Sequence, residues 1–219
     1  MTFNDLDIKM IVSAPFQQNA YIVRRKGATE ALVVDPGFDT DSIIAEIERN
    51  ALELKAILNT HGHADHIAGN AAIKAAYPAA PLLIGRNEAN LLIEPRSNLS
   101  AGFGMPIKSP PADRLVDDRE TIDLAGLRML VREIPGHSPG SVVYIIENSD
   151  PIVVLGGDVL FAGSVGRTDL GGDFNLLKTG ITSKLFILPD HAVVLSGHGE
   201  ETTIGVEKRT NPFVGIHAD

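Results

Sequence analysis

Thr60-His61-Gly62-His63-Ala64-Asp65-His66 packs three histidines and one aspartate into the six residues from His61 to His66, directly after the apolar run Ala56 to Leu58. Such a run reads as a buried strand, so the cluster opens where the chain leaves the core. In extended chain, residues two apart point to the same side, which lets His61 and His63 converge on one metal ion. Asp65 and His66 fall where the chain turns into the next helical segment and aim elsewhere, at a second ion. Gly62 and Ala64 are small enough for the backbone to crowd around both. Imidazole and carboxylate suit Zn2+, and Fe or Mn as well. A solvated polar loop is the competing reading, and this density of ligand-type side chains after a buried strand speaks against it.

Three more candidates lie outward from this stretch. His137 sits in Pro135-Gly136-His137-Ser138-Pro139-Gly140, between two apolar runs. Asp158 follows Gly156-Gly157 after Ile152 to Leu155, and His198 lies in Ser196-Gly197-His198-Gly199 after Ala192 to Leu195. Each stands at a predicted strand end beside glycine, where a side chain reaches into a shared groove. Alone, any of them reads as a turn residue; with the first cluster they read as ligands. The remaining histidines, His191 and His217, have no such setting and are expected at the surface. The chain contains no cysteine, which excludes disulfides and thiolate ligands.

The wider pattern is that of an α/β protein. Met10 to Val12 and Ala20 to Val23 predict a hairpin, with a polar turn around Gln17 to Asn19. Ala31 to Val34 predicts a buried strand stopped by Asp35-Pro36-Gly37. Ile43, Ile44 and Ile47 mark one face of a helix over Asp41 to Asn50, capped by Thr40 or Asp41. A helix is expected over Ile67 to Tyr77, a strand at Leu82 to Ile84 and a helix near Asn87 to Ile93. Further strands are predicted at Thr121 to Leu124, Leu127 to Glu133, Ser141 to Ile146 and Ile152 to Leu155, then a helix over Asn175 to Leu185 and a last strand at Ala192 to Leu195. Strands in two series, each with helices, imply two sheets face to face with helices outside, in a single domain over residues 1–219. Between them, Glu94 to Asp118 carries Pro95, Pro106, Pro110 and Pro111 and predicts a long binding loop, packed through Leu99, Phe103, Met105 and Ile107.

Composition removes several function classes. The net charge of −9, from 19 basic and 28 acidic residues, leaves no broad basic surface for phosphate, so nucleic acid is not an expected partner. Arg24-Arg25-Lys26 reads as a solvated strand end. Apolar runs such as Pro151 to Leu155 fall far short of the roughly 20 residues that span a bilayer. No basic segment leads into an apolar run at the start, so the expectation is a cytoplasmic protein with no membrane partner. Homo-oligomerisation is left open.

The run from His61 to His66, then His137, Asp158 and His198, in that order, resembles the full ligand set of the metallo-β-lactamase superfamily. That resemblance implies a four-layer αββα sandwich of two mixed β-sheets flanked by helices. Within the superfamily the segments Gly157-Asp158-Val159-Leu160-Phe161, Gly166-Arg167-Thr168-Asp169, and Thr202-Thr203-Ile204-Gly205 through Asn211-Pro212-Phe213 are similar to short glyoxalase II-type (hydroxyacylglutathione hydrolase-like) enzymes. The resemblance implies two divalent metal ions: His61, His63 and His137 on the first, Asp65, His66 and His198 on the second, Asp158 bridging. It makes Asp35 a residue that orients the loop, Asp65 and Asp158 the catalytic carboxylates, and Arg167 a substrate-binding residue. A salt bridge from Arg167 to Asp169 is the equally open alternative. Two departures accompany the likeness: Asp169 stands where those enzymes have an aromatic residue, and no separate C-terminal helical domain is expected after Phe213.

The implied activity is hydrolysis of a small-molecule thioester such as S-lactoylglutathione, by a hydroxide shared between two metal ions. A thioester suits this chemistry because a thiolate leaves without much protonation. A mononuclear-iron persulfide dioxygenase, similar over Gly166 to Asp169, is the alternative, followed by a lactonase or another hydrolase of the same fold. No Gly-x-Ser-x-Gly segment suggests a serine nucleophile.

Overall fold

The computed structural model describes residues 3–14 and 16–218. Strands β1 (Leu6–Ser13) and β2 (Gln18–Arg25) form an antiparallel hairpin, with Leu6 opposite Arg25 and Ser13 opposite Gln18. Strand β3 (Glu30–Val34) joins antiparallel to β2. Strands β4 (Glu53–Leu58), β5 (Leu82–Gly85) and β6 (Arg114–Val116) then extend the sheet in parallel. The second sheet begins with the antiparallel run β7 (Thr121–Leu124), β8 (Leu127–Glu133), β9 (Val142–Ile146) and β10 (Val153–Gly157). A short ribbon, β11 (Leu160–Phe161) with β12 (Ser164–Val165), follows. Strand β13 (Val193–Ser196) pairs parallel to β10, and β14 (Thr202–Thr203) closes that edge antiparallel to β13. Both large sheets are therefore mixed, in the orders β1-β2-β3-β4-β5-β6 and β14-β13-β10-β9-β8-β7.

Alternation along the strands builds the layers. On β3, Leu32 and Val34 face the space between the sheets, while Ala31 and Val33 face outward to helices. On β10 and β13, Val153, Leu155, Val193 and Leu195 share that central layer, and Val154 and Val194 face the other side. Strands covered on both faces read as continuous apolar runs rather than alternating ones. Helices α1 (Thr40–Arg49), α2 (Ala64–Ile67), α3 (Asn70–Ala76) and α4 (Ala89–Ile93) lie in the crossovers of the first sheet, where Ile43, Ile47, Ile73 and Leu92 enter its outer core. Helices α5 (Phe174–Gly180) and α6 (Ile204–Thr210) cover the second sheet through Leu177 and Ile204. The order of layers is helix, sheet, sheet, helix, as expected.

Several local expectations are corrected. The helix predicted over Ile67 to Tyr77 is broken at Gly69, whose N–H donates to Pro36 O at 2.8 Å. A Cβ there would stand 2.5 Å from Gly37 O, so the chain passes only because glycine has none. The helix over Asn175 to Leu185 ends as α5 and continues as one π turn over Ile181–Leu185. Helix α1 starts from Asp39 with no side-chain cap, not from Thr40 or Asp41 as capping residues. Ala192 to Leu195 is not the last strand, since β14 follows, and β6, β11 and β12 add to the expected strands. Gln18 and Asn19 are buried members of β2 rather than turn residues; of the three, Gln17, at φ 54°, lies in the turn. In the Glu94 to Asp118 segment Phe103 and Met105 stay outside the core, 59% and 46% exposed. No helix among the described residues is long and apolar enough to cross a membrane.

Candidate metal centre

Asp35 directly follows strand β3, and its carboxylate holds the start of the His-rich loop. Its Oδ1 accepts from the Thr60 N–H at 2.7 Å, and its Oδ2 accepts from the Thr60 hydroxyl at 2.6 Å. The same Oδ2 lies 3.0 Å from His66 Nδ1, and an ionised carboxylate only accepts, so His66 carries its proton on Nδ1. The Thr60 hydroxyl hydrogen is directed at Asp35, which leaves an oxygen lone pair for His61 Nδ1–H at 3.1 Å. His137 Nδ1 donates to Arg167 O at 2.8 Å. With Nδ1 engaged in all three rings, the Nε2 lone pairs are the ones available to a cation.

Those lone pairs point inward. His61 Nε2, His66 Nε2 and Asp158 Oδ1 are buried without a hydrogen-bond partner. Buried ligand-type atoms gathered at one place without hydrogen-bond partners are what a bound cation explains. The donor atoms of His61, His63 and His137 lie within 4.8 Å of one another, and so do those of Asp65, His66 and His198. His63 Nδ1 approaches His137 Nε2 at 2.9 Å, and His198 Nε2 lies 3.2 Å from Asp65 Oδ2. Asp158 stands between the two groups: Oδ1 is 3.3 Å from His66 Nε2, while Oδ2 is 3.5 Å from both His137 Nε2 and His198 Nε2. The donor atoms of Asp35, His61 and His66 also lie within 4.8 Å of one another. Asp35 is already committed to Thr60 and His66, so it orients donors rather than adding one.

Burial, and then the crowding of other imidazoles, hold the first group neutral: His61 falls well below the usual imidazole range and His63 to about 3. Neutral imidazole is the form that binds metal. Gly197 keeps the space open, because a Cβ there would lie 2.2 Å from Asp158 Oδ1 and 2.7 Å from His66 Cε1.

A cleft of about 330 Å³ opens over these side chains, with His63, Asp65, His137, Asp158 and His198 in its floor. Arg167 lies at its edge, but its guanidinium is paired fork to fork with Asp169 at 2.7 and 2.6 Å, and both side chains are exposed. The salt bridge expected as the alternative for Arg167 is thus formed. His191 and His217 are exposed and apart from the centre, as anticipated.

The profile of the metallo-beta-lactamase superfamily matches residues 13–198. The chain belongs to that superfamily. The match and the His/Asp groups together make it a metal-binding hydrolase. Its relatives include "Probable metallo-hydrolase YqgX" of Bacillus subtilis, 38% identical over 91% of this chain and 93% of that one. "Hydroxyacylglutathione hydrolase GloC" of Haemophilus influenzae is 36% identical over 95% of this chain and 98% of the relative. Among solved structures, the BLEG-1 B3 metallo-beta-lactamase superposes with a TM-score of 0.90 at 39% identity, covering 95% of this chain and 99% of the other. TTHA1623, solved in a di-iron-bound form, gives 0.82 at 34% identity over 94% and 99%. ETHE1 from Myxococcus xanthus gives 0.76 at 25% identity over 98% and 84%.

Around this superfamily centre stand further buried polar residues that carry no functional mark in the sequence. Glu88, fully buried before α4, accepts from the Gly62 N–H at 2.7 Å, the Ser138 hydroxyl at 2.8 Å and the Gly140 N–H at 2.6 Å. Asn19 donates to Ser196 O at 3.0 Å and Gly199 O at 2.9 Å, tying β2 to the His198 loop. Asn59 donates to His66 O at 3.1 Å. A polar residue inside an apolar strand or helix start was the only signal available for them.

Proposed function

We propose that this chain hydrolyses a thioester, S-lactoylglutathione or a related S-acyl thiol, with two metal ions in the cleft. The observation that carries the reading is the position of Asp158, one oxygen turned to His66 and the other to His137 and His198. His61, His63 and His137 would hold one ion, Asp65, His66 and His198 the other, and Asp158 both. Zn2+ suits this all-nitrogen-and-oxygen donor set, and Fe or Mn do as well. Such ions supply a water of lowered pKa and polarise a bound carbonyl.

The chain's own groups do the rest. Asp65 and Asp158 line the cleft floor as carboxylates, placed to accept the proton of a water that adds to the thioester carbonyl carbon. The C–S bond then breaks, and the sulfur leaves as a thiolate that takes up that proton in water. His137 is fixed through Arg167 O and His66 through Asp35, so neither ring has to turn during the reaction. The relative named hydroxyacylglutathione hydrolase supports the choice of a thioester. Arg167 joins substrate binding only by leaving Asp169. The cytoplasmic setting belongs to the same reading.

The test is elemental analysis of the purified protein, followed by assays on S-lactoylglutathione and glutathione persulfide side by side. Thiol release without oxygen uptake, with about two metals per chain, is expected. Oxygen consumption with one iron per chain would overturn the hydrolase reading in favour of a dioxygenase.

A further inference from the structure

The walls of the cleft differ in chemistry from its floor. Above the histidines and aspartates stand Phe16, Leu99, Phe103, Phe161, Val165 and Leu170. Phe16 stacks on Phe38 at 5.8 Å and meets Phe103 edge-on at 5.7 Å, so the wall is a built aromatic cluster. Phe103 remains 59% exposed and Leu170 45%, apolar surface beside the reacting centre that nothing in the chain covers among the described residues.

The cationic and amide groups in the same lining already have partners. Arg167 is paired fork to fork with Asp169. The Asn98 amide donates to Leu91 O at 2.9 Å and Ile107 O at 3.0 Å, and its oxygen accepts from the Ser100 N–H at 3.1 Å and hydroxyl at 2.6 Å. Ser164 Oγ, 3.5 Å from Val165 O, adds only a neutral hydroxyl, so no charged side chain of the wall stands unpartnered to hold a carboxylate.

Backbone geometry gives an independent reason to regard this wall as functional. Leu99 sits at φ 71°, in the left-handed region that a leucine enters only at a cost. The buried neighbours Asn98 and Ser100 enforce it, and Asn98 O accepts from the Ala64 N–H at 3.1 Å, docking the wall onto the His63–Asp65 segment. A left-handed conformation held by a fully bonded surround fixes the Leu99 side chain in the wall beside the reacting centre.

We propose that this wall is a subsite for an uncharged, apolar arm of the substrate, and that Leu99 and Phe103 set its selectivity. The proposal rests on the thioester reading and narrows it: the substrate class is an S-acyl thiol recognised through methylene or aromatic groups, not through the carboxylates of a peptide thiol. A lactoyl group is smaller than the cleft, and a longer acyl or thiol arm fills it.

Binding of inert thioethers tests this without requiring turnover. Calorimetry on the metal-loaded protein would compare S-methyl to S-hexyl derivatives of N-acetylcysteamine and of glutathione. Affinity is expected to rise about two- to fourfold per methylene, with the glutathione series no tighter than the neutral one. A flat chain-length series, or a glutathione series at least about tenfold tighter at equal length, would overturn the subsite. Leu99→Gly removes the side chain while glycine adopts the φ freely, and Phe103→Ser opens the wall from the exposed side. Both variants should flatten the chain-length dependence, and an unchanged slope in both would overturn their assignment. Hydrolysis of acetyl to hexanoyl thioesters of the same thiols separates the two readings. Turnover with flat binding sinks the subsite alone, whereas chain-dependent binding with no turnover sinks the hydrolase alone.

Discussion

The Glu88 carboxylate accepts the backbone N–H of Gly62 on one oxygen, at 2.7 Å, and holds Ser138 and Gly140 on the other. Gly62 separates His61 from His63, and Ser138 follows His137, so one buried side chain ties together two loops that leave different sheets. Both oxygens act only as acceptors, and the arrangement therefore calls for a carboxylate.

Glu88→Gln tests that requirement. An amide has one acceptor oxygen, and whichever way it turns, its NH2 meets the N–H of Gly62 or of Gly140. One buried donor goes unsatisfied, at about 1–3 kcal/mol. Urea unfolding should show that loss, and metal titration should show affinity weakened by roughly 10- to 100-fold, as for groups that orient ligands from behind. Full loss of stability with unchanged metal affinity would assign Glu88 to the fold and not to the centre.

Gly197→Ala acts on the centre from the other side. The added methyl would stand 2.2 Å from Asp158 Oδ1, closer than atoms allow, so Asp158 or His66 must move. The expected outcome is loss of bound metal by elemental analysis, with the far-ultraviolet circular dichroism of the native protein retained. A variant that keeps its metal would show that Asp158 is not held where the distances place it.

Asp35→Asn probes the tautomer of His66. The carboxylate accepts from Thr60 and faces His66 Nδ1 at 3.0 Å, which places the imidazole proton on Nδ1 and bares Nε2. An asparagine NH2 in that place favours the opposite tautomer, with Nε2–H pointing at the metal position. Metal affinity should fall about 10- to 100-fold. Nitrogen chemical shifts of His66 should report the exchanged proton; an unaltered tautomer would refute this account.

How far the sequence revealed the site follows from how local each signal is. His61 to His66 are neighbours in sequence, and His137, Asp158 and His198 each sit beside glycine at a strand end, so residue type and position disclosed them together. Glu88 carries no such mark: one glutamate at a helix start has the same pattern whether it is solvated or buried against two loops from opposite sheets. Asn19 and Gln18 read as turn residues because polarity is the local signal, yet tertiary hydrogen bonds to Ser196 and Asp35 keep them in β2. The prolines after Glu94 announced a loop, but not that Asn98 would order it. The three-residue β6 and two-residue β11 and β12 are too short to show a period.

Away from the centre, Asp113 sets a pH dependence. Its Oδ2 takes the Lys74 ammonium at 2.6 Å and the Leu82 N–H at 2.8 Å, fastening α3 and the start of β5. The Lys74 hydrogen bond first, and the Leu82 N–H second, hold its carboxyl below the ordinary aspartate value. The folded state then binds fewer protons than the unfolded chain, and stability falls as pH is lowered. The contribution is complete above about pH 4, the value for an unfolded aspartate, and disappears as pH drops through the lower folded value. With the Asp113 side chain 45% exposed, solvent screening limits the ion pair to about 1 kcal/mol or less. Asp113→Asn keeps an acceptor for Leu82 and removes only the charge. Urea unfolding across a pH series should therefore show wild type more stable near pH 7 and the two proteins converging towards about pH 2. A gap that persists in acid would place the effect in hydrogen-bond geometry at Leu82, and the ion pair with Lys74 would carry none of it.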